Sequence, residues 1–219
     1  DSLKGATPAA EQHVPVAVGA THDIISHALL RAVKEFVRMH PHVRISIRSG
    51  LISEVMSMVK DGEVDFGLTP APERPVGFDF IGLFADERVL ITPKDHPLLT
   101  KKQIVIDDLS KWPLILRRRE TSMVLETEFQ RKGLEYEVLV ELDSMEMVKG
   151  YVAQGLGISV GPRLAIEPED SDKLGIVSLS NLLPVEQSGI VTLHGKILPT
   201  SAKNFIAVIK DAFGMTVNL

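Results

Sequence analysis

Val14–His40, VPVAVGATHDIISHALLRAVKEFVRMH, is the stretch that decides the fold. Val14, Val16 and Val18 alternate with the period of two that marks a strand. Ile24/Ile25, Ala28/Leu29, Ala32/Val33 and Phe36/Val37 then recur every four residues, the spacing of an apolar stripe along a helix. Between the two patterns lies Gly19-Ala20-Thr21-His22-Asp23, a turn of small and polar residues. It falls where a strand ends and the unpaired N–H groups of a helix begin, which is where open α/β sheets bind ligands.

Composition narrows the function. A chain of 219 residues holds one domain or two small ones, and 44% hydrophobic with 24% charged residues is ordinary for a globular protein. There is no Cys, so no disulfide framework or thiolate metal site is available, which is compatible with the cytoplasm. No apolar run approaches the roughly 18 residues of a membrane-spanning helix, and residues 1–13 lack the layout of a signal peptide. Those residues, small and polar without period, read as a tail or linker, and Asp1 in place of Met suits a fragment or processed form. A net charge of −5 argues against this chain holding nucleic acid by itself.

Outward from the opening stretch, strands and helices alternate. The pattern predicts a strand at Val43–Arg48, a turn at Ser49-Gly50, a helix over 51–60 stopped by Asp61-Gly62, and a buried strand Val64–Leu68 followed by Thr69. Strands at Phe78–Leu83 and Arg88–Thr92 come next, with Phe84–Glu87 between them. The pattern then restarts: a strand Pro113–Leu116, a polar turn Arg117–Ser122, a helix to Lys132, and a strand Tyr136–Leu142. Asp143-Ser144-Met145-Glu146 looks like a capping box with Asp143 as acceptor, opening a helix to Gln154. A strand at Ile158–Val160, an acidic loop Glu167–Asp172, strands near Ile176–Leu179 and Gly189–Leu193, and a helix Ser201–Phe213 complete the chain. This predicts an α/β protein of two Rossmann-like lobes, residues 14–86 plus 189–219 and residues 87–188. The chain would cross between them near 84–88 and 184–189, leaving a cleft.

Most motifs dissolve on inspection. Gly157-Ile158-Ser159-Val160-Gly161 has the form G-x-S-x-G, with Asp170 or Asp172 and then His194 in hydrolase order. Yet a helix precedes the serine and strand residues flank it, the reverse of a nucleophile elbow, so no enzyme is predicted. Gly155-x-Gly157 ends a helix instead of opening one and lacks a third glycine, so no nucleotide cofactor is implied. The histidines are scattered, and no metal site follows from them. Arg117-Arg118-Arg119 is the one compact basic run; from a strand end, one guanidinium can reach into an interlobe cleft and hold a carboxylate. Ser49, Thr69 and Asp143/Ser144 also lie at strand ends facing the same crevice.

Taken together, Ala20-Thr21-His22 with its amphipathic helix, His40-Pro41 before VRISIR, Asp61–Leu68 (DGEVDFGL), Arg88–Pro93 with His96-Pro97-Leu98, and Met147–Ile158 (MVKGYVAQGLGI) resemble the effector-binding domain of LysR-type transcriptional regulators. The resemblance covers residues 14–213, and the Thr21-His22 pair with Val148-Lys149-x-Tyr151-Val152 is most similar to the CysB-like branch. It implies a periplasmic-binding-protein type 2 architecture and a cytoplasmic regulator. It further implies a homodimer, or a tetramer, using the helix 23–40 and a helix of the other lobe, and DNA bound through a helix-turn-helix that these residues do not include. No cofactor is implied. The effector would be held by Ala20, Thr21, His22, Asp23, Ser49, Thr69, Arg119, Thr121, Ser122, Asp143 and Ser144.

The chain departs from the sulfate-binding relatives. It has Asp23 and Ile24 where they have threonine and glutamine, and Asp143 where they have threonine. A carboxylate beside a desolvated sulfate is a like-charge contact, so sulfate is not expected unless Asp23 only caps its helix. The alternative ligand is zwitterionic or amine-bearing, with Asp23 or Asp143 facing the amine and an arginine of 117–119 facing a carboxylate. An extracytoplasmic solute-binding protein of the same architecture is the rival function.

Overall fold

The computed structural model describes residues 15–71, 76–118 and 121–214; the tail reading of 1–13 and Arg119 lie outside them. The opening stretch forms β1 (Val16–Ala20), a widened π turn (Ile24–Ala28) and α1 (Leu29–Met39). In the π turn the Leu29 N–H donates to the Ile24 carbonyl five residues back, which rotates the first helical turn relative to the rest. β2 (Ile45–Ser49), α2 (Ile52–Lys60), β3 (Phe66–Pro70) and β4 (Phe78–Asp86) follow.

β1 pairs in parallel with β2 and β3, as strands joined by crossover helices must. The other two neighbours are antiparallel: β10 (Glu186–Leu193), from late in the chain, lies between β3 and β4 and completes a sheet of order β2-β1-β3-β10-β4. Gly189 permits this, since a Cβ there would stand 2.1 Å from the Ile81 carbonyl oxygen. Val16, Val18, Ala20, Phe66 and Leu68 pack with Leu29, Ala32 and Phe36 of α1 and with Phe205 and Ile209 of α6 (Thr200–Ala212). The Phe36 and Phe205 rings meet in a tilted arrangement with centroids 4.7 Å apart, so the last helix closes the core opened by the first.

The second lobe is built on β5 (Arg88–Pro93), α3 (Ile106–Leu109), β6 (Leu114–Arg117), α4 (Thr121–Lys132), β7 (Val138–Leu142), α5 (Met145–Ala153), β8 (Ser159–Pro162) and β9 (Leu174–Ser178). β5 lies antiparallel between β8 and β9, and the parallel pair β6-β7 joins that sheet through a bridge between Leu114 and Ile158. Alternate residues of these strands face opposite layers: Leu90, Leu114 and Leu116 meet Leu125 and Phe129 of α4, while Val89, Ile91 and Ile115 meet Met145, Val148 and Val152 of α5.

Several expectations shift in ways that matter for the site. Thr69 lies inside β3 rather than after it, because β10 extends the pairing to Pro70. Arg117 is the last residue of β6 rather than part of a turn. The helix cap is Ser144, whose hydroxyl accepts from the Met147 N–H at 3.3 Å, and not Asp143. β4 runs on to Asp86, leaving only Glu87 between it and β5.

Candidate functional site

The chain passes from the first sheet to the second between Asp86 and Arg88, and returns between Ser178 and Glu186. The two passages run side by side, with Asp86 opposite Glu186 in the β4–β10 pairing. The Arg88 guanidinium reaches Glu186 at 2.6 Å, and the Asp86 carboxylate accepts from the Leu164 N–H at 3.0 Å. Charged residues thus stand at both crossings.

Asp23 stands at the head of the π turn but does not cap it. Its carboxylate instead accepts from the Arg117 guanidinium at 2.5 Å, an ion pair that joins the two lobes. Asp23, Arg88 and Arg117 line a cavity of about 50 Å³, together with Thr21, Pro70, Asp86, Glu186 and Ser188. The lining holds three carboxylates against two guanidiniums. Burial pushes the Asp86 carboxyl above the usual carboxylate range, and Glu186 and Asp23 add to it, against the opposing pull of the Leu164 N–H and Arg88. Among the described residues, three buried side-chain atoms lack a hydrogen-bond partner in the protein: Asp23 Oδ1, Arg88 Nε and Ser159 Oγ.

A wider groove of about 420 Å³ adjoins the same segments. It is lined by His22, Ser49, Gly50, Leu51 and Glu54 of the first lobe and by Arg118 and Asp143 of the second. Beyond it, His27 makes a second link between lobes. Its Nδ1 lies 2.6 Å from Glu167 and its Nε2 2.9 Å from Glu146, and the imidazole is only 8% exposed. Carboxylates of two second-lobe residues thus flank the two ring nitrogens of this one first-lobe imidazole. Burial acts to raise the Glu146 carboxyl, but its own backbone N–H, the Ser144 hydroxyl and His27 outweigh it and hold it below its ordinary value.

The residues singled out from the sequence therefore fall into distinct places. Thr21 and Asp23 line the inner cavity; His22, Ser49 and Asp143 line the outer groove. Ala20 is fully buried under the turn, and Thr69, equally buried, donates its hydroxyl to the Pro70 carbonyl and lines neither space. Ser144 is occupied with its helix. Thr121 and Ser122 open α4, with their side chains outside the described residues, as is Arg119. Of the basic run, Arg117 is the residue that enters the cleft, and it meets the protein's own Asp23. Asp86, Arg88, Glu186 and His27 were not foreseen; the signal for the first two was a charged triplet, Asp86-Glu87-Arg88, set between two apolar strands.

The hydrolase pattern has no geometry behind it. Ser159 is fully buried in β8, Asp170 pairs with Lys149, and His194 pairs with Asp79. Gly157 serves close packing: a Cβ there would stand 2.2 Å from the Pro113 carbonyl oxygen, which accepts from the Ile158 N–H. Among the described residues no cluster of His, Asp or Glu is arranged to hold a metal ion, and no helix is long and apolar enough to cross a membrane.

Comparison with known proteins agrees with this architecture. The transcriptional regulator CysB of Burkholderia cenocepacia is 26% identical over 223 residues, covering 100% of this chain. The chain spans 70% of that regulator's length, and 46% of the Cbl regulator of Escherichia coli, to which it is 30% identical over 151 residues. Among solved structures, the regulatory domain of CcmR from Synechocystis, determined in complex with 2-PG, superposes with a TM-score of 0.80 at 20% identity, covering 91% of this chain and 97% of that one. These relatives are regulators rather than enzymes. The fold is that of the periplasmic-binding-protein type 2 class, and residues 9–214 match the model of the LysR substrate binding domain. The chain belongs to the LysR substrate-binding domain family, as an effector-binding domain of the kind that CysB and Cbl carry.

Proposed function

We propose that this chain senses a small polar metabolite between its lobes, residues 14–86 plus 189–219 and residues 87–188, on behalf of a cytoplasmic transcriptional regulator that binds DNA through a helix-turn-helix outside these residues. The observation that carries the reading is the Asp23–Arg117 pair, a charged contact between lobes at the wall of a polar cavity. A ligand there alters how the lobes meet, because it competes for the groups that now hold them together. It shifts the regulator only so far as it prefers one arrangement over another. The 2-PG complex of the structurally similar CcmR domain supports a metabolite ligand, and the named relatives favour a regulator over a transporter's solute receptor.

Thr21 and Asp23 at the inner cavity, and His22, Ser49 and Asp143 toward the groove, are the contacts we assign to the ligand. Ala20, Thr69, Thr121, Ser122 and Ser144 shape the backbone around it. Thr69 acts through Pro70, which its hydroxyl holds and which lines the cavity. The exposed Leu30 and Val37, on one side of α1, and the exposed Met123 of α4 on the other lobe offer apolar contacts for a side-by-side homodimer.

A thermal-shift screen of small metabolites tests the site, since a ligand at about 100 times its dissociation constant adds about 2.7 kcal/mol. Thr21→Val is expected to weaken any hit, and the hit is expected to change operator binding by the full-length regulator in a gel-shift titration. A ligand whose affinity ignores Thr21→Val and Asp23→Asn alike rules the cleft out.

A further inference from the structure

We propose that the ligand of the interlobe cleft is a zwitterion, an ammonium and a carboxylate carried close together as in an amino acid, which inserts between Asp23 and Arg117. This rests on the reading of the cleft as the effector site and deepens it by naming the ligand class. The buried atoms without partners point to it. Asp23 Oδ1 is an acceptor, Arg88 Nε is a donor, and both residues line the same cavity. A ligand bringing one donor and one acceptor satisfies both at once.

Charge balance excludes simpler ligands. An anion that takes the Arg117 Nη1 donor from Asp23 leaves that carboxylate buried beside Asp86 and Glu186. A cation that reaches Asp23 leaves the buried Arg88 Nε donor without an acceptor. A zwitterion replaces each partner as it displaces it: its carboxylate takes Arg117 and Arg88, and its ammonium takes Asp23 and the surplus carboxylate, Asp86. The cavity's total charge does not change. The present pair is thus an internal stand-in for the ligand, and the exchange turns a direct contact between lobes into one spaced by the ligand's width.

Size divides the molecule between the two spaces. At about 50 Å³ the inner cavity suits the charged head, with the pair parted. His22 and Arg118, the chain neighbours of Asp23 and Arg117, line the groove of about 420 Å³ that takes the remaining side chain.

The test is differential scanning fluorimetry of this chain with the standard α-amino acids at about 10 mM, with propionate, propylamine and sulfate as probes lacking one or other charge. At least one amino acid is expected to raise Tm by about 2 °C or more, and its deaminated and decarboxylated counterparts are not. By calorimetry, Asp23→Asn and Arg117→Gln are each expected to weaken that amino acid about tenfold or more. Asp86→Asn leaves the pair in place and removes the surplus negative charge, so it is expected to let propionate stabilise the chain. That gain of binding is readable whether or not the Arg117 variant folds, and its absence counts against the charge argument. A silent amino-acid panel overturns the zwitterion, as does sulfate or propionate binding the natural chain as tightly as any amino acid. If such an anion is weakened by Thr21→Val and Asp23→Asn, the cleft reading survives that failure. If no ligand responds to either substitution, the cleft reading falls too.

Discussion

Two adjacent arginines each meet an aspartate, Arg117 across the cleft and Arg118 within its own lobe, and their surroundings make them different interactions. Arg117 and Asp23 meet at 2.5 Å with side chains 17% and 11% exposed; Arg118 and Asp143 stand 3.8 Å apart at 56% and 77%. In the first, both charges have largely left water, and Asp23 has Arg117 as its counter-charge. In the second, water and salt screen the attraction and the long side chains remain mobile. Strand geometry makes this division. Arg117 ends β6, and consecutive residues point to opposite sides, so one arginine is carried into the cleft and the next toward solvent. What an ion pair contributes is thus a property of its place and not of its residue types.

The sharpest way to break that contrast is to remove one member of the buried pair. Arg117→Ala should destabilise the chain by roughly 3–5 kcal/mol in urea denaturation, since it leaves the Asp23 carboxylate buried without its cation. A loss no larger than that of Arg118→Ala would overturn the assignment. Removing both charges together, with Asp23→Leu and Arg117→Met, should recover most of the loss and end within about 1 kcal/mol of the natural chain. That double variant should lose any ligand even though it folds, which separates stability from recognition.

Asp86 gives a smaller effect with a pH signature. Burial raises its folded-state pKa above the unfolded value, so the ionised form is the disfavoured one in the fold. Its native state binds more protons, and stability falls as pH rises through the window from the unfolded to the folded value. Asp86→Asn should therefore stabilise the chain at neutral pH, by an amount reduced by the carboxyl's remaining exposure. The advantage should vanish in acid below the ordinary carboxylate range, as read from denaturation midpoints across pH. Arg118→Ala is the least of the four, expected within about 0.5 kcal/mol of the natural chain and smaller still at high salt.

The lobes were legible because alternation and four-residue periodicity are local, and each segment carries its own pattern: Val14–Val37 for β1 and α1, VRISIR for β2, VDFGL for β3. Strand ends were less legible. β3 reaches Thr69 and Pro70, and β4 reaches Asp86, because β10 pairs beside them, and a strand's length follows its partner as much as its own residues. Thr21, His22, Ser49 and Asp143, which line the cavity and the groove, stand at strand ends, a position that a local pattern can mark. Arg88, Glu186 and His27 were missed because nothing near them in sequence announces partners 98, 119 or 140 residues away.

By itself, then, the sequence determined the two α/β lobes, the polar turn between β1 and α1, and the family to which they belong. Each of these rests on residues within a few positions of one another. Only the tertiary structure decided that Asp23 neither caps its helix nor stands bare against an incoming anion, but is already held by Arg117, 94 residues on. Hydrophobic spacing dictates which face of an element turns inward. It leaves open which charged end meets which across a cleft, because that is settled by burial and by the joint packing of both lobes.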